Sequence, residues 1–501
     1  MKIDQFPEDI RPHLIPEPGG PMIYRCLGCN GEFGIEHLLY TCPDCGSVLL
    51  LQDKNFNRLK DIGGELWRKI FDYRRMLNHQ SLKGIFLYYE FIAPVIPLDR
   101  IIYLGEGHTP IVQANDRLKE MIGLDFYFKN DGLNPSASFK DRGMACALSF
   151  INHFAKANNI DDILAVCAST GDTSASAALY TSFLKDFIKS AVLLPHGKVT
   201  EQQLAQPLGS GARVLEIPGV FDDCMKVVES LAENYHVALL NSKNSWRILG
   251  QESFSYEIAQ DFDYNIKDKV VVLPIGNAGN ITAIMSGFIK LYKTGVIDHL
   301  PKIIGVQSDH ADPVYRYYLE EYLEKRKFVP VSVKPSVAQA AMIGNPVSMP
   351  RVIKIAGDYN DIAGDKRVLV VQVTEQEIMD SMIIANRNGN IACTQGGESM
   401  AGLKKAVREG LVGQGEIGVL DSTAHMLKFL AFQERYFQNS FEPEFDVKPR
   451  QELKNAPLLV KPEKLERYPE PGNPLKGEDM KRFIQEMTSE IAGILNLEKK
   501  R

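Results

Sequence analysis

Six short apolar runs punctuate the chain beyond residue 104: Phe126-Tyr127-Phe128, Ile163-Leu164-Ala165-Val166, Ala191-Val192-Leu193-Leu194, Val270-Val271-Val272-Leu273, Ile303-Ile304-Gly305-Val306 and Val368-Leu369-Val370-Val371. None alternates with polar residues, and stretches of helical length separate them. That pattern predicts strands buried on both faces, in mainly parallel sheets covered by helices. Upstream, residues from about 52 to 100 mix apolar and charged positions around Trp67, Tyr73, Tyr88 and Tyr89, which predicts helices leading into the body. Downstream, seven prolines stand among charges in residues 440 to 475. Met480, Phe483, Ile484, Met487, Ile491, Ile494 and Leu495 then recur at helical spacing. This end reads as an extended strap closing in an amphipathic helix, with no chemistry visible in it.

In parallel helix-covered sheets, ligands bind where strand C-termini run into loops and helix N-termini. Three such junctions carry unusual residues. Ser169-Thr170-Gly171-Asp172-Thr173-Ser174-Ala175-Ser176-Ala177-Ala178 follows the strand ending near Val166, and its small residues let a ligand approach the backbone. The alanine-rich continuation opens a helix whose free N–H groups and dipole favour an anion. Pro274-Ile275-Gly276-Asn277-Ala278-Gly279-Asn280-Ile281 repeats that logic after another apolar strand, and phosphate is the commonest ligand of such a nest. Either loop alone is no more than a tight connection.

The third junction, Asn134-Pro135-Ser136-Ala137-Ser138-Phe139-Lys140-Asp141-Arg142-Gly143, places a lysine among small residues at a helix start, where the dipole disfavours a cation. Burial there lowers the pKa of Lys140, which is what an amine needs to form a Schiff base with an aldehyde. A lone lysine is otherwise a solvated charge or half of an ion pair. Together with the two phosphate-type loops it points to pyridoxal phosphate, which carries both an aldehyde and a phosphate.

Composition narrows the class. The 501 residues include 57 Lys+Arg against 63 Asp+Glu and are 45 % hydrophobic, as in an ordinary globular protein of several domains. The net charge of -6 argues against a chain-wide nucleic-acid surface. The longest apolar run, Ile85 to Leu98, is broken by Glu90, Pro94 and Pro97 and is too short to cross a membrane, and the first residues lack the pattern of a signal peptide. The expected location is therefore the cytoplasm, with neither membrane nor nucleic acid as partner. Four of the eight cysteines form two knuckles, Cys26-Leu27-Gly28-Cys29 and Cys42-Pro43-Asp44-Cys45. Paired CxxC turns fill the four corners of a tetrahedron, which predicts a structural Zn2+ in a ribbon spanning residues 20–50. Cys146, Cys167, Cys224 and Cys393 read as small buried hydrophobes. A ribbon that bound nucleic acid would carry a basic knuckle, whereas Arg25 to Gln52 contains one arginine, no lysine and the acidic Glu32, Glu36 and Asp44.

These landmarks, with Leu104-Gly105-Glu106-Gly107-His108-Thr109-Pro110, Gly344-Asn345-Pro346-Val347-Ser348 and Ser422-Thr423-Ala424-His425-Met426-Leu427-Lys428, follow one another across residues 22 to 430 as in a known family. The sequence resembles the threonine synthases of the tryptophan-synthase-β-like group of pyridoxal-phosphate enzymes. The resemblance implies fold type II: two open, mainly parallel sheets covered by helices, here with an N-terminal zinc ribbon and a C-terminal tail. It implies a large cofactor domain over 51–149 and 258–435, a small mobile domain over 150–257 and a strap with a terminal helix over 436–501. It also implies at least a homodimer.

By the same resemblance Lys140 holds the cofactor as a Schiff base and later shuttles protons. Gly276, Asn277, Ala278, Gly279 and Asn280 cradle the cofactor phosphate, and Thr423 faces the pyridine nitrogen. Ser169, Thr170 and Thr173 take the substrate α-carboxylate. Ser242, in the Asn241-Ser242 stretch, and Arg247 hold the leaving phosphate, a task suited to a guanidinium. The implied reaction removes a Cα and then a Cβ proton from O-phospho-L-homoserine, expels phosphate from Cγ and adds water at Cβ to give L-threonine. Without the resemblance, Arg247 reads as a helix-face cation, and Ser242 and Thr173 as helix caps. His425 reads as bonded to its own loop, and Asp141 and Arg142 as structural partners of the helix start.

Two departures qualify the match. Asp172 stands where many members have an asparagine that donates to the cofactor's phenolic oxygen; a carboxylate either shares a proton with that oxygen or points elsewhere. The segment Cys393-Thr394-Gln395-Gly396-Gly397-Glu398-Ser399 also differs from the most familiar form. The rival readings are a cysteate-synthase-like replacement on O-phospho-L-serine, an amino-acid dehydratase and, at a distance, a non-catalytic zinc-ribbon binding protein.

Overall fold

The Val270–Leu273 run lies at the heart of the molecule because nothing in it can face water. A computed structural model describes residues 1–168, 171–185, 187–196, 201–218 and 221–500. In it the run is part of β10 (Lys269–Pro274), whose residues are all buried. This strand sits inside a six-stranded sheet with β4 (Ile111–Gln113), β5 (Phe126–Lys129), β11 (Lys302–Ser308), β12 (Val368–Val373) and β13 (Ile417–Asp421), in the order β12-β11-β10-β13-β5-β4. Val272 pairs with Ile304 on one side and Leu420 on the other, both in parallel register. Only the edge strand β4 runs antiparallel.

A second sheet, order β8-β7-β6-β9, is parallel throughout and consists of β6 (Ile163–Ala168), β7 (Ile188–Pro195), β8 (Arg213–Ile217) and β9 (Val237–Leu239). All six predicted runs are strands, and the two open, mainly parallel sheets are those of the expected α/β class. Four further strands gave little signal. β4 and β9 have three residues each, β8 is a largely exposed edge, and Gly418 interrupts the apolar text of β13. Missing β13 matters most, because Ser422 and Thr423 follow it directly.

The cysteine knuckles belong to a three-stranded antiparallel sheet, β2-β1-β3, of β1 (Met22–Cys26), β2 (Glu32–Gly34) and β3 (Leu49–Asp53). Too small for a core of its own, this sheet leans on the body. The Trp246 indole N–H donates to Tyr24 Oη at 3.0 Å, and Ser245 Oγ donates to Leu49 O at 2.8 Å. Arg351 reinforces the junction. It is fully buried and donates to Leu49 O at 2.7 and 2.9 Å, to Ser242 O at 3.0 Å and to Lys243 O at 3.1 Å. Burial pushes its guanidinium down to about 9, and the partners it finds are carbonyls and hydroxyls. Nearby, Phe150 and Trp246 stack with centroids 3.8 Å apart.

The predicted helices upstream include Gly64–Met76, whose Trp67, Ile70 and Phe71 are buried, and the terminal helix spans Gly477–Ile494. The chain forms two compact units, Met1–Lys448 and Pro449–Arg501. Among the described residues no helix is long and apolar enough to cross a membrane.

Replacing Arg351 with leucine strips the donors from at least three carbonyls and lowers stability by about 3 kcal/mol in urea unfolding. Lys354→Leu, which removes only an exposed i,i+4 pair with Asp358, shifts it by less than about 0.5 kcal/mol.

Candidate active site

Lys140 is the first residue of the helix Lys140–Ala157, and two hydrogen-bonded junctions fix that start. The loop before it is zipped to the loop after β13: Phe139 N–H donates to Thr423 O at 2.8 Å, His425 N–H to Ala137 O at 3.0 Å, and Ser138 bridges Ala424. Ala137 holds φ +64° there, a left-handed conformation that costs an L-residue energy and recurs at binding sites. Behind the loop, Arg142 bonds Asp131 and Glu257 through both edges of its guanidinium and also reaches Thr109 and Ser253. Burial works against that charge, but the two carboxylates hold Arg142 well above its ordinary value. Asp141 accepts from Ser136 N–H and Oγ, both at 2.6 Å, and from Ser176 Oγ, while burial pushes it up to about 6. Both residues act as structural partners of the helix start.

The Lys140 amine is different in kind. Its side chain is half-buried, and Nζ lies 4.2 Å from the Phe139 ring centroid. Burial, reinforced by Arg247, pulls its pKa down to about 7, against the opposing pull of Asp172, Cys167 and Asp421. Those neighbours come from the C-terminal ends of β6 and β13 and from two helix starts, so Lys140 stands where the two sheets meet. An amine about half neutral at pH 7 is a competent nucleophile and base.

Arg247 supplies the site's second unusual charge. It lies in the helix Ser245–Gln251, is 3 % exposed, and donates from Nη1 to Leu240 O at 3.1 Å. Its Nε has no partner, and among the described residues no carboxylate pairs with it. Burial pushes it down to about 10. A buried guanidinium without an anion is costly, and an anion would offset that cost.

The loop Gly276 to Asn280 opens the helix Gly279–Lys293, with Ala278 in a left-handed turn at φ +61°. Ser348 N–H donates to Asn277 O at 3.1 Å, and Asn280 Nδ2 donates to Asp421 Oδ2 at 2.8 Å. A Cβ on Gly276 would stand 3.0 Å from Ala341 Cα, so the Gly344–Ser348 stretch and its lead-in press closely on this loop. Asp421 is held well above the ordinary carboxylate range, by burial first and by Asp131, and its Oδ1 has no partner. Ser138 Oγ and Ser422 Oγ are buried and unpartnered as well.

Thr423 is buried next to these atoms, its Oγ1 3.5 Å from Cys393 Sγ. Cys393 does more than fill space, since its sulfur also caps the helix Thr394–Arg408 by accepting from Gly396 N–H. Asp172 heads the helix Asp172–Phe183 with Oδ1 2.8 Å from Lys428 Nζ. Of the two possibilities open for that carboxylate, the contact it makes is with a lysine. Thr173 is half-buried in the first turn, while Ser242 offers its carbonyl to Arg351. Ser169 and Thr170 lie outside the described residues. His425 Nδ1 accepts from Leu427 N–H in its own loop. Asp421 and the Asp172–Lys428 contact escaped sequence reasoning: the first ends an unrecognised strand, and the second joins residues 256 positions apart.

The four knuckle sulfurs all lie within 4.8 Å of one another. Cys26 to Cys45 and Cys29 to Cys42 measure 3.4 and 3.5 Å, against about 3.8 Å for the edge of a zinc–thiolate tetrahedron.

Residues 102–422 match the family model described as pyridoxal-phosphate dependent enzyme. A threonine synthase from Methanocaldococcus jannaschii is 36 % identical over 413 residues, 81 % of this chain and 93 % of that protein. Chloroplastic threonine synthase 2 from Arabidopsis thaliana is 34 % identical over 79 % of this chain and 75 % of its own. Among solved structures, threonine synthase from Escherichia coli superposes with TM-score 0.61 at 19 % identity, covering 82 % of this chain and 90 % of that one. A threonine deaminase from Solanum lycopersicum gives TM-score 0.52 at 18 % identity over 70 % of this chain and 92 % of its own. These two show the fold.

The depressed amine gives a direct expectation. The rate at which the cofactor-free chain forms a Schiff base with pyridoxal phosphate rises with pH and levels off just above pH 7. A rate still climbing near pH 10, as an ordinary lysine gives, would contradict it. Arg247→Met weakens binding of inorganic phosphate roughly tenfold or more in equilibrium titration, and Arg247→Lys recovers part of the loss.

Proposed function

The chain belongs to the threonine synthases, within the pyridoxal-phosphate-dependent enzymes, and from that premise we infer that it converts O-phospho-L-homoserine and water to L-threonine and phosphate. The observation that carries the reading is one pairing: a lysine amine drawn down to about 7 and, acting on it, a buried guanidinium with no anion of its own.

The residues present fit pyridoxal phosphate. Lys140 offers a neutral amine to the aldehyde, and Gly276 to Asn280, at the head of a 15-residue helix, offer backbone N–H groups and a helix dipole to the phosphate. Thr423 would offer a hydroxyl to the ring nitrogen, and Asp172 lies near enough to Lys140 to act on its charge. The orphaned Asp421 Oδ1, Ser138 Oγ and Ser422 Oγ mark polar surface that nothing in the chain satisfies. Bound there, pyridoxal phosphate supplies a conjugated ring that spreads the negative charge developing beside the substrate's α-carbon.

The remaining work belongs to the chain. Lys140 Nζ would accept the Cα proton and then a Cβ proton, and would return one at Cγ and, after water has added at Cβ, one at Cα. Its lowered pKa suits it to both directions near neutral pH. Arg247 pairs bidentately with the departing phosphate, helped by Ser242, and stabilises charge that grows as the Cγ–O bond breaks. Ser169, Thr170 and Thr173 hold the α-carboxylate at the head of the Asp172–Phe183 helix. The four-stranded unit within 150–257 closes over substrate against the large domain, 51–149 with 258–435, and keeps water out until the addition step.

Cys26, Cys29, Cys42 and Cys45 hold a structural Zn2+, a reading supported by the sulfur separations. Paired CxxC knuckles that hold metal as thiolates favour a reducing compartment such as the cytoplasm. The assembly is a homodimer; the tail beyond residue 436 carries the apolar stripe of its terminal helix, from Met480 to Leu495.

Phosphate release measured side by side from O-phospho-L-homoserine and O-phospho-L-serine, with threonine quantified, tests the reading. Release and threonine from the first substrate alone are expected, and Lys140→Ala abolishes both. Release from phosphoserine alone would assign the chain to the β-replacement chemistry instead. Metal analysis of the purified chain yields one equivalent of zinc, and chelation lowers its melting temperature.

A further inference from the structure

Asp172 is buried, and the ammonium that meets it, Lys428 Nζ at 2.8 Å, comes from the far side of the site. Lys428 lies in the loop that follows β13 through Ser422 and Thr423. The same ammonium donates to Ser136 O at 3.0 Å in the turn that leads to Lys140. One cation thus joins the head of the Asp172–Phe183 helix, the lysine turn and the loop bearing Thr423.

The carboxylate is held at this spot by more than Lys428. Asp172, Ser176 and Tyr180 share one face of the helix at i, i+4 and i+8. Each reaches a different anchor: Lys428, Asp141 and Glu106, the last with Tyr180 Oη 2.6 Å from Glu106 Oε2. Three polar contacts along one face fix the register of that helix against the lysine turn. The charged or titratable groups that act most strongly on the Lys140 amine are Arg247 from its helix, Asp172 from this one, Cys167 near the end of β6 and Asp421 at the end of β13.

We propose that Lys428 is a positioning residue for the reaction: it holds Asp172 as a paired carboxylate beside Lys140 and so fixes the charge that faces the amine and the cofactor it carries. The proposal rests on the reading that Lys140 holds pyridoxal phosphate. A carboxylate paired in this way accepts hydrogen bonds and cannot donate one, unlike the amide of an asparagine in its place. The pair is neutral as a whole. Removing either partner leaves the other's charge uncompensated: Asp172 acts directly on Lys140, and Lys428 bonds Ser136 in the turn that leads to it; an unpaired charge near a titrating group shifts its midpoint by about one pH unit or more.

The test is the pH titration of the cofactor's absorbance in the loaded enzyme for wild type, Asp172→Asn, Lys428→Met, Lys428→Arg and the double variant Asp172→Asn/Lys428→Met. Asp172→Asn leaves an unopposed ammonium and lowers the midpoint by about one pH unit, while Lys428→Met leaves an unopposed carboxylate and raises it. The double variant and Lys428→Arg return to the wild-type midpoint. Any other order of midpoints overturns the proposal. In steady state Lys428→Met lowers kcat and leaves KM for the phosphorylated substrate near wild type, because Lys428 is committed to Asp172 and Ser136. A raised KM with unchanged kcat would make Lys428 a substrate contact and likewise overturn it. Borohydride reduction with peptide mapping separates this failure from that of the premise: a label on Lys140 leaves the functional reading standing whatever the midpoints do, and a label elsewhere refutes the reading itself.

Discussion

The site depends on the burial of Arg142 between Asp131 and Glu257. A guanidinium removed from water is tolerable only when its charge is matched and its N–H groups are used, and Arg142 meets both conditions with two carboxylates, Thr109 and Ser253. Breaking such a network by removing one partner costs roughly 3 to 5 kcal/mol, so the network has effectively one arrangement. Asp131 follows β5, Glu257 sits in the helix Ser253–Asp261, and Thr109 belongs to the stretch before β4. Their shared partner stands two residues after Lys140. The position of the lysine is therefore set by a charge network that takes no part in the chemistry.

Three buried arginines show how partners divide structure from function. Arg142 is matched by carboxylates and fixes a helix start. Arg351 is matched by backbone carbonyls and fastens the N-terminal three-stranded sheet and the turn at Ser242 to the body. Arg247 has one carbonyl and an idle Nε. Burial depresses both Arg351 and Arg247, but only the second retains unspent donors. The cost of keeping it buried and unmatched would be offset by a bound anion. Arg247 also acts on Lys140, so a cation with no anion of its own helps keep that amine unprotonated.

The candidate site could be proposed from the sequence because its parts are local. The small-residue loops, the lysine at a helix start and the cysteine knuckles each occupy fewer than a dozen consecutive residues, and their backbone requirements are visible in residue type alone. The six apolar runs were equally plain, since strands buried on both faces tolerate no polar residue. The blind spots were short or interrupted strands, above all β13, where Gly418 breaks the apolar run. With that strand unseen, Asp421 could not be recognised as a buried carboxylate at a strand end.

The fold class and the pyridoxal-phosphate family were legible in the chain alone, because secondary structure, helix-terminus electrostatics and turn geometry are set by neighbours in the sequence. Tertiary structure alone decided which charges are spent and which are left over. Arg142 and Arg247 look alike in the sequence, and so do Lys428 and any surface lysine. They differ because residues from distant strands and helices do or do not supply a counter-charge, and pairing in a dry interior depends on contacts that no local pattern records.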